Sequence, residues 1–204
     1  MVNILTVKGS PRKDSNSFLL LQRALEGIKN NLSLKRYNIE NIDVSELEIS
    51  CCQACDYCYQ NRECCIRDDM SGLYEIFDSA DIILVSTPVF FGGVPAQFKK
   101  LIDRCQVIWA SKYKLRDSLI DRNKNRMGYV FAAAGAPEER EQFLAVKKEV
   151  TMFFRVLNTD YRGDFFVSDV ERRPVSDRDN VLNKANNIGK KIAREFIGND
   201  ECDY

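Results

Sequence analysis

Short β-rich runs alternate with amphipathic helical segments along this chain, and no other feature constrains its fold as tightly. The first run, VNILTV (2–7), meets a polar stretch and then a helix opening near Ser15, with Phe18, Leu21, Leu25 and Ile28 spaced by three and four. A weaker strand lies near 34–39. IILVS (82–86) is apolar throughout, as a central strand covered on both faces must be. The helix behind it carries Val94, Phe98, Leu101, Cys105 and Ile108 in register. GYVFAAA (128–134) leads to a helix expected to begin at Pro137, with Glu138 and Glu139 in the first turn, where carboxylates suit the dipole. Phe143, Val146, Val150 and Phe153 continue it. YRGDFFVS (161–168) precedes a last helix capped near Ser176 and carrying Leu182, Ala185, Ile188, Ile192 and Phe196. Five strands and about five helices, with no repeat or linker, predict one doubly wound α/β domain over residues 1–204. A length of 204 residues suits one sizeable core and is short for two.

Charge narrows the partners. Thirty basic residues balance thirty acidic ones, so neither a nucleic-acid footprint nor a polybasic membrane patch is expected. The same neutrality removes one barrier to self-association. No stretch approaches the ~18 apolar residues of a membrane span. In MVNILTVKGSPRK the charges follow the apolar run, the reverse of a signal peptide, and a cytoplasmic protein is expected. The chain has no histidine, which excludes an imidazole base and any histidine-ligated metal. It has eight cysteines, and in the cytoplasm these point to metal or redox chemistry rather than to disulfides.

The first strand ends in GSPRKDSNS (9–17), directly before a helix. Ser10, Ser15, Asn16 and Ser17 supply side-chain donors, and backbone N–H groups at the helix start add positive potential. Arg12 offers a bidentate partner, so the segment suits a phosphate dianion; a plain polar turn with helix caps is the other reading. Neither the dinucleotide glycine fingerprint nor the P-loop pattern is present.

GSPRKDSNS resembles the phosphate loop of the NADPH-dependent FMN reductase and iron–sulfur flavoprotein group of the flavodoxin-like superfamily. STPVFFGGVPAQFKKLIDR (86–104) is similar to a second run of that group, and AAAGAP (132–137) to a third, though with one glycine where relatives often have two. The resemblance covers roughly residues 1–140. It implies a flavodoxin-like parallel sheet of order 2-1-3-4-5 that binds flavin mononucleotide (FMN). Ser10, Arg12, Ser15, Asn16 and Ser17 would hold the phosphate. Thr87, Pro88, Val89, Phe90, Phe91 and Gly92, with Ala134 and Gly135, would meet the flavin ring beyond the strand ends. Ordinary core or dimer packing is the other reading of Phe90 and Phe91.

Between the second strand and the helix near Met70 runs a loop of more than twenty residues that holds six of the eight cysteines. Loops this long in compact domains usually serve a function. Cys52-x2-Cys55-x2-Cys58-x5-Cys64, with Cys51 and Cys65 as adjacent extras, places thiolates on one tight turn, as in ferredoxin-type sites. The spacing resembles the compact motif of iron–sulfur flavoproteins, down to the following Asp68-Asp69-Met70, and implies a [4Fe–4S] cluster on Cys52, Cys55, Cys58 and Cys64, with the adjacent Cys65 as the alternative fourth ligand and Cys64 the one in register with the motif. A structural zinc site, which more often uses two separated C-x2-C pairs, and a cluster-free loop are the alternatives. Cys105 reads as core and Cys202 as part of a polar tail.

The function implied by the resemblance is that of an FMN-dependent electron-transfer oxidoreductase working between a carrier such as ferredoxin, or NAD(P)H, and a terminal acceptor. No side chain is assigned as catalytic acid or base. An NAD(P)H-dependent FMN or quinone reductase without a cluster is the alternative enzyme, and a zinc-stabilised flavin carrier a third reading. The family favours a homodimer or homotetramer.

Overall fold

The computed structural model describes residues 1–32 and 36–200. Its five strands are β1 (Val2–Lys8), β2 (Tyr37–Asp43), β3 (Ile82–Pro88), β4 (Arg126–Ala133) and β5 (Thr159–Val167). All pair in parallel in the order β2-β1-β3-β4-β5, as expected. Six helices connect and cover them: α1 (Asn16–Asn31), α2 (Met70–Ser79), α3 (Ala96–Arg104), α4 (Gln106–Tyr113), α5 (Leu144–Val156) and α6 (Asp179–Asp200).

Successive side chains point to opposite faces, so the inner strands β3 and β4, covered on both, are buried almost throughout. Ile4, Ile82, Leu84, Met127, Tyr129 and Phe131 join α1 and α6 in one core. The residues between them, among them Leu5, Ile83, Val85 and Val130, join α2, α3, α4 and α5 in the other. On that second face Phe153 takes Phe77 and Phe98 edge-on, with ring centroids 5.8 Å away in each case. Truncating so buried a ring costs about 3–5 kcal/mol. On the first face Gly27 and Gly189 bring α1 and α6 backbone to backbone. A Cβ at Gly27 would run into the Asn186 carbonyl, and one at Gly189 into the Ala24 carbonyl.

Several boundaries differ from the sequence reading. The second strand is Tyr37–Asp43 rather than 34–39, and residues 34 and 35 lie outside those described. It is a polar edge strand, which leaves little apolar signal to read. In α1 the buried apolar side chains are Leu20, Leu21, Ala24 and Ile28, whereas Phe18 and Leu25 are only partly buried. The helix expected at Pro137 starts at Leu144. Ahead of it Glu141 is left-handed, with φ of 66°, and Gln142 Nε2 donates to the Ala136 and Pro137 carbonyls. Those bonds hold a turn where a first helical turn was expected. Ser176 belongs to a 3-10 turn, Val175–Asp177, and α6 follows it. The helix after β3 is two helices that part at Cys105, which is buried core as expected. Among the described residues no helix is long and apolar enough to cross a membrane.

Candidate functional site

In this topology the chain winds outward from β1 to β2 and then returns past β1 to β3. The ends of β1 and β3 are therefore the switch point, where such sheets leave a crevice for a ligand. The expected phosphate loop leaves β1 there. Gly9 N–H donates to the Ser86 carbonyl at 2.7 Å, which ties the loop to β3. Ser10 is buried and its Oγ accepts the Arg12 N–H at 3.2 Å. Ser15 is the N-cap of α1, its Oγ accepting Phe18 N–H at 3.3 Å. The remaining first-turn N–H groups lack an intrahelical acceptor. Ser17 and Ser86 hydroxyls are buried without a partner among the described residues, while the Arg12 side chain is exposed. Buried, unsatisfied hydroxyls beside a helix start fit the oxygens of a phosphate. Asn16 has a second duty: its Oδ1 accepts Val175 N–H at 2.7 Å and so ties α1 to the approach of α6.

Beyond β3, Thr87 is buried and its hydroxyl donates to the Pro88 carbonyl at 3.0 Å. Val89 N–H donates to the Ala133 carbonyl at 2.9 Å, which brings the second and third expected flavin segments together. Phe90 and Gly93 then exchange backbone hydrogen bonds of 2.9 and 3.0 Å across a two-residue turn. Both turn residues are left-handed, Phe91 at 47° and Gly92 at 81°. That is the demand of a type I′ turn, and glycine meets it freely. A bulky residue does not, and Phe91 is strained by about 1–3 kcal/mol while fully exposed to solvent. So exposed a ring takes no part in this chain's own core. Ala134 is buried and its N–H donates to the Val167 carbonyl at 2.9 Å, and Gly135 follows it.

The cysteine loop runs from Val44 to Asp69, leaving β2 at the same sheet edge. One arginine closes its neck. Arg104, at the end of α3, has a side chain only 1% exposed. Its Nη1 donates to Asp68 Oδ2 at 2.6 Å and to the Ser50 carbonyl at 3.0 Å. Its Nη2 donates to Asp68 Oδ1 at 3.1 Å and to the Ile66 carbonyl at 3.3 Å. Ser50 and Ile66 are the residues just outside Cys51 and Cys65, so the fork holds both ends of the cysteine segment. Burial alone would raise the Asp68 carboxyl, but Arg104 and the Ser50 and Met70 N–H groups hold it below the ordinary range.

The far wall is a 3-10 turn, Tyr57–Tyr59. The Tyr59 ring packs on Trp109 of α4 at 6.0 Å, and its hydroxyl accepts from Gln106 at 3.2 Å. Ala54 and Asp56, on either side of Cys55, are both left-handed, at 50° and 56°. Between neck and wall lies a cavity of about 410 Å³ lined by Cys52, Cys55, Cys58, Cys64 and Cys65 against Arg104 and Val107. Cys58 and Cys64 are half-buried and the other loop cysteines exposed. Burial pushes the Cys58 thiol up. The Tyr57 N–H and the Cys65 thiol draw Cys55 down, and the Cys65 thiol rises in return. Among the described residues no three cysteine, aspartate or glutamate side chains converge on a point that would hold a single metal ion. Cys202 lies outside the described residues.

Sequence reading missed two residues. Arg104 falls on the apolar stripe between Leu101 and Ile108, and a charge at a core position was the available sign of a buried pair. Glu149 of α5 lies beneath the Phe90–Gly93 turn and accepts Val94 N–H; burial raises its carboxyl, and its Oε2 is buried with no partner among the described residues. No local pattern marks it.

Comparison with known proteins agrees with this geometry. The family model described as NADPH-dependent FMN reductase matches residues 2–167. An iron–sulfur flavoprotein of Archaeoglobus fulgidus is 36% identical over 155 residues, which cover 76% of this chain and 72% of that one. An iron–sulfur flavoprotein of Methanocaldococcus jannaschii is 28% identical over 200 residues, covering 94% and 96%. Among solved structures, an NAD(P)H:quinone oxidoreductase of Methanothermobacter marburgensis superposes with a TM-score of 0.68 at 18% identity, over 93% of this chain and 95% of that one. An FMN-dependent NADH-azoreductase of Bacillus anthracis gives 0.69 at 17%, over 96% and 99%. At such low identities these structures speak for the fold, which is flavodoxin-like. The family match and the sequence relatives carry the rest: this chain belongs to the NADPH-dependent FMN reductase family, in the group that includes the iron–sulfur flavoproteins, and is an FMN-dependent oxidoreductase.

Proposed function

We propose that this protein passes electrons between FMN and a [4Fe–4S] cluster, linking a carrier such as ferredoxin, or NAD(P)H, to a terminal acceptor. The observation that carries the reading is the cavity lined by cysteines and closed by Arg104, at the sheet edge from which the phosphate loop also leaves. A cube spreads its thiolate ligands over its corners, so thiols around a cavity suit it better than they suit one ion. Cys52, Cys55, Cys58 and Cys64 would hold it, leaving Cys51 and Cys65 free.

At the flavin edge, Ser10, Arg12, Ser15, Asn16 and Ser17 would take the phosphate, supported by the unsatisfied Ser17 hydroxyl. Thr87 to Gly92, with Ala134 and Gly135, would border the ring. FMN, when bound, exchanges electrons in pairs or singly, while the protein supplies placement and electrostatics. We read the chain as one domain, working in the cytoplasm as a homodimer or homotetramer.

A second reading, an NAD(P)H-dependent FMN or quinone reductase without a cluster, is favoured by the family match itself. Anaerobic purification decides between them. The first reading expects FMN among heat-released flavins, about four irons per chain and a broad visible absorption. FMN-replete protein that takes up no iron on anaerobic reconstitution and oxidises NADPH in steady state would establish the second.

A further inference from the structure

Cys65 has no place among the four proposed ligands, yet the structure gives it a definite neighbour. Its Sγ lies 3.5 Å from Cys55 Sγ, in van der Waals contact, and both residues are exposed. Loops rich in cysteine bring thiols together by chance, so what fixes this pair matters more than the distance. The two arms are anchored separately. On the Cys65 side the next residue, Ile66, gives its carbonyl to Arg104 at 3.3 Å. On the Cys55 side, Asp56 and Tyr57 open the 3-10 turn, Tyr59 N–H donating to the Asp56 carbonyl at 2.9 Å, and Tyr59 is seated on Trp109 and Gln106. Helices α3 and α4, joined at Cys105, therefore hold the two thiols face to face. The left-handed backbone at Ala54 and Asp56 turns Cys55 within that frame, without a glycine to relieve it.

We propose that Cys55 and Cys65 are a reversible disulfide site, closed by a peroxide and opened by a small thiol, and that the closed form withdraws Cys55 from the cluster ligands. The ligand half of this statement rests on the proposed electron-transfer function; the disulfide half does not. In closure the two S–H bonds break and one S–S bond forms. The two thiols release two electrons and two protons, and hydrogen peroxide takes up both as its O–O bond cleaves, leaving two waters. A small thiol reverses the step and ends as its own disulfide. A disulfide inside a reducing compartment is of the transient, sensing kind. Its bond needs a sulfur separation of ~2 Å, a short approach from contact for two exposed side chains. A cluster and this disulfide cannot share Cys55, so the loop has two exclusive covalent states. Cys65 decides which of them an oxidant leaves behind.

The test uses the full-length, FMN-loaded chain before iron reconstitution. It receives one equivalent of hydrogen peroxide, its free thiols are blocked with iodoacetamide, and its peptides are mapped by mass. A Cys55–Cys65 cross-link that dithiothreitol removes is expected as the main product. Iron uptake by the oxidised chain should fall at least about tenfold, as for loss of a ligand, and return after dithiothreitol. Cys65→Ser should lack that cross-link and keep its iron uptake after the same dose. Closure of a different pair, or free thiols throughout, would overturn the proposal, as would undiminished iron uptake by the cross-linked chain. A chain that forms the Cys55–Cys65 bond but takes up no iron even when reduced sinks the cluster reading and leaves the disulfide site standing.

Discussion

After β1 the chain turns through Gly9–Ser15 directly into α1, whereas after β2 it runs from Val44 to Asp69 before α2 begins. The first passage is shaped by backbone: a strand end, a capped helix start, and N–H groups facing outward because helix geometry leaves them unpaired. The second is shaped by side chains from elsewhere, Arg104 at its neck and Trp109 with Gln106 at its wall. One site is therefore formed by consecutive residues of its own loop and helix start. The other depends on two helices that follow β3.

The sharpest way to break this contrast is Arg104→Met. Removing one partner of a buried ion pair leaves Asp68 unpaired and costs about 3–5 kcal/mol, which denaturant unfolding would register. Iron should be lost from protein that still binds FMN. Adding Asp68→Asn to this change removes the stranded charge and should restore much of the stability but not the iron. Acid should act on the same joint. The Asp68 carboxyl is held low in the folded chain, so its stabilisation is complete above the unfolded value near 3.9 and is lost as pH falls through the lower folded value. Unfolding curves taken down through that range should show the loss in the native chain and not in Asp68→Asn.

A smaller effect separates two residues at the flavin edge. Arg12→Ala removes an exposed side chain and should weaken FMN by about 1–3 kcal/mol, seen in flavin-fluorescence titration, with unfolding unchanged. Asn16→Ala should differ, since it also strands the Val175 N–H, and stability should fall by about 1 kcal/mol alongside FMN affinity. Wild-type affinity in both variants would move the phosphate elsewhere.

The smallest expected effect has the opposite sign. Phe91→Asn puts the favoured residue at the first turn position and should stabilise the fold by about 0.5–1 kcal/mol while weakening flavin binding. A stability gain with unaltered FMN affinity would remove Phe91 from the ring site.

The same contrast explains what could be read from the sequence. Most strands and helices were legible because Ile82–Val85 is a continuous apolar run and the Phe98–Leu101–Ile108 stripe repeats a local period, whereas the strand order came from the family resemblance alone. The capped turn proposed to hold the phosphate was legible as a turn because its caps and hydroxyls are consecutive. The helix start at Leu144 was not: Pro137 with Glu138 and Glu139 is a sound local signal, overruled by the Gln142 amide and the pairing of Ala136 with Asp169. The polar edge strand β2 was shifted for want of an apolar face. Cysteine spacing announced the loop, but its closure by Arg104 joins residues 36 and more positions apart, and no local period reports that.

The backbone contact at Gly27 and Gly189 bears on how this lineage can vary. All of α6 lies past residue 167, where the family match ends, and among the described residues no such contact constrains its outer face as it does the inner one. One added methyl at either glycine would force α1 away from α6. Since α1 begins at the proposed phosphate site, the displacement would be carried there from a helix outside the proposed flavin-binding segments. Selection acting on flavin retention therefore reaches two codons that no motif contains, and these two are expected to hold still in descendants whose neighbouring positions have all changed.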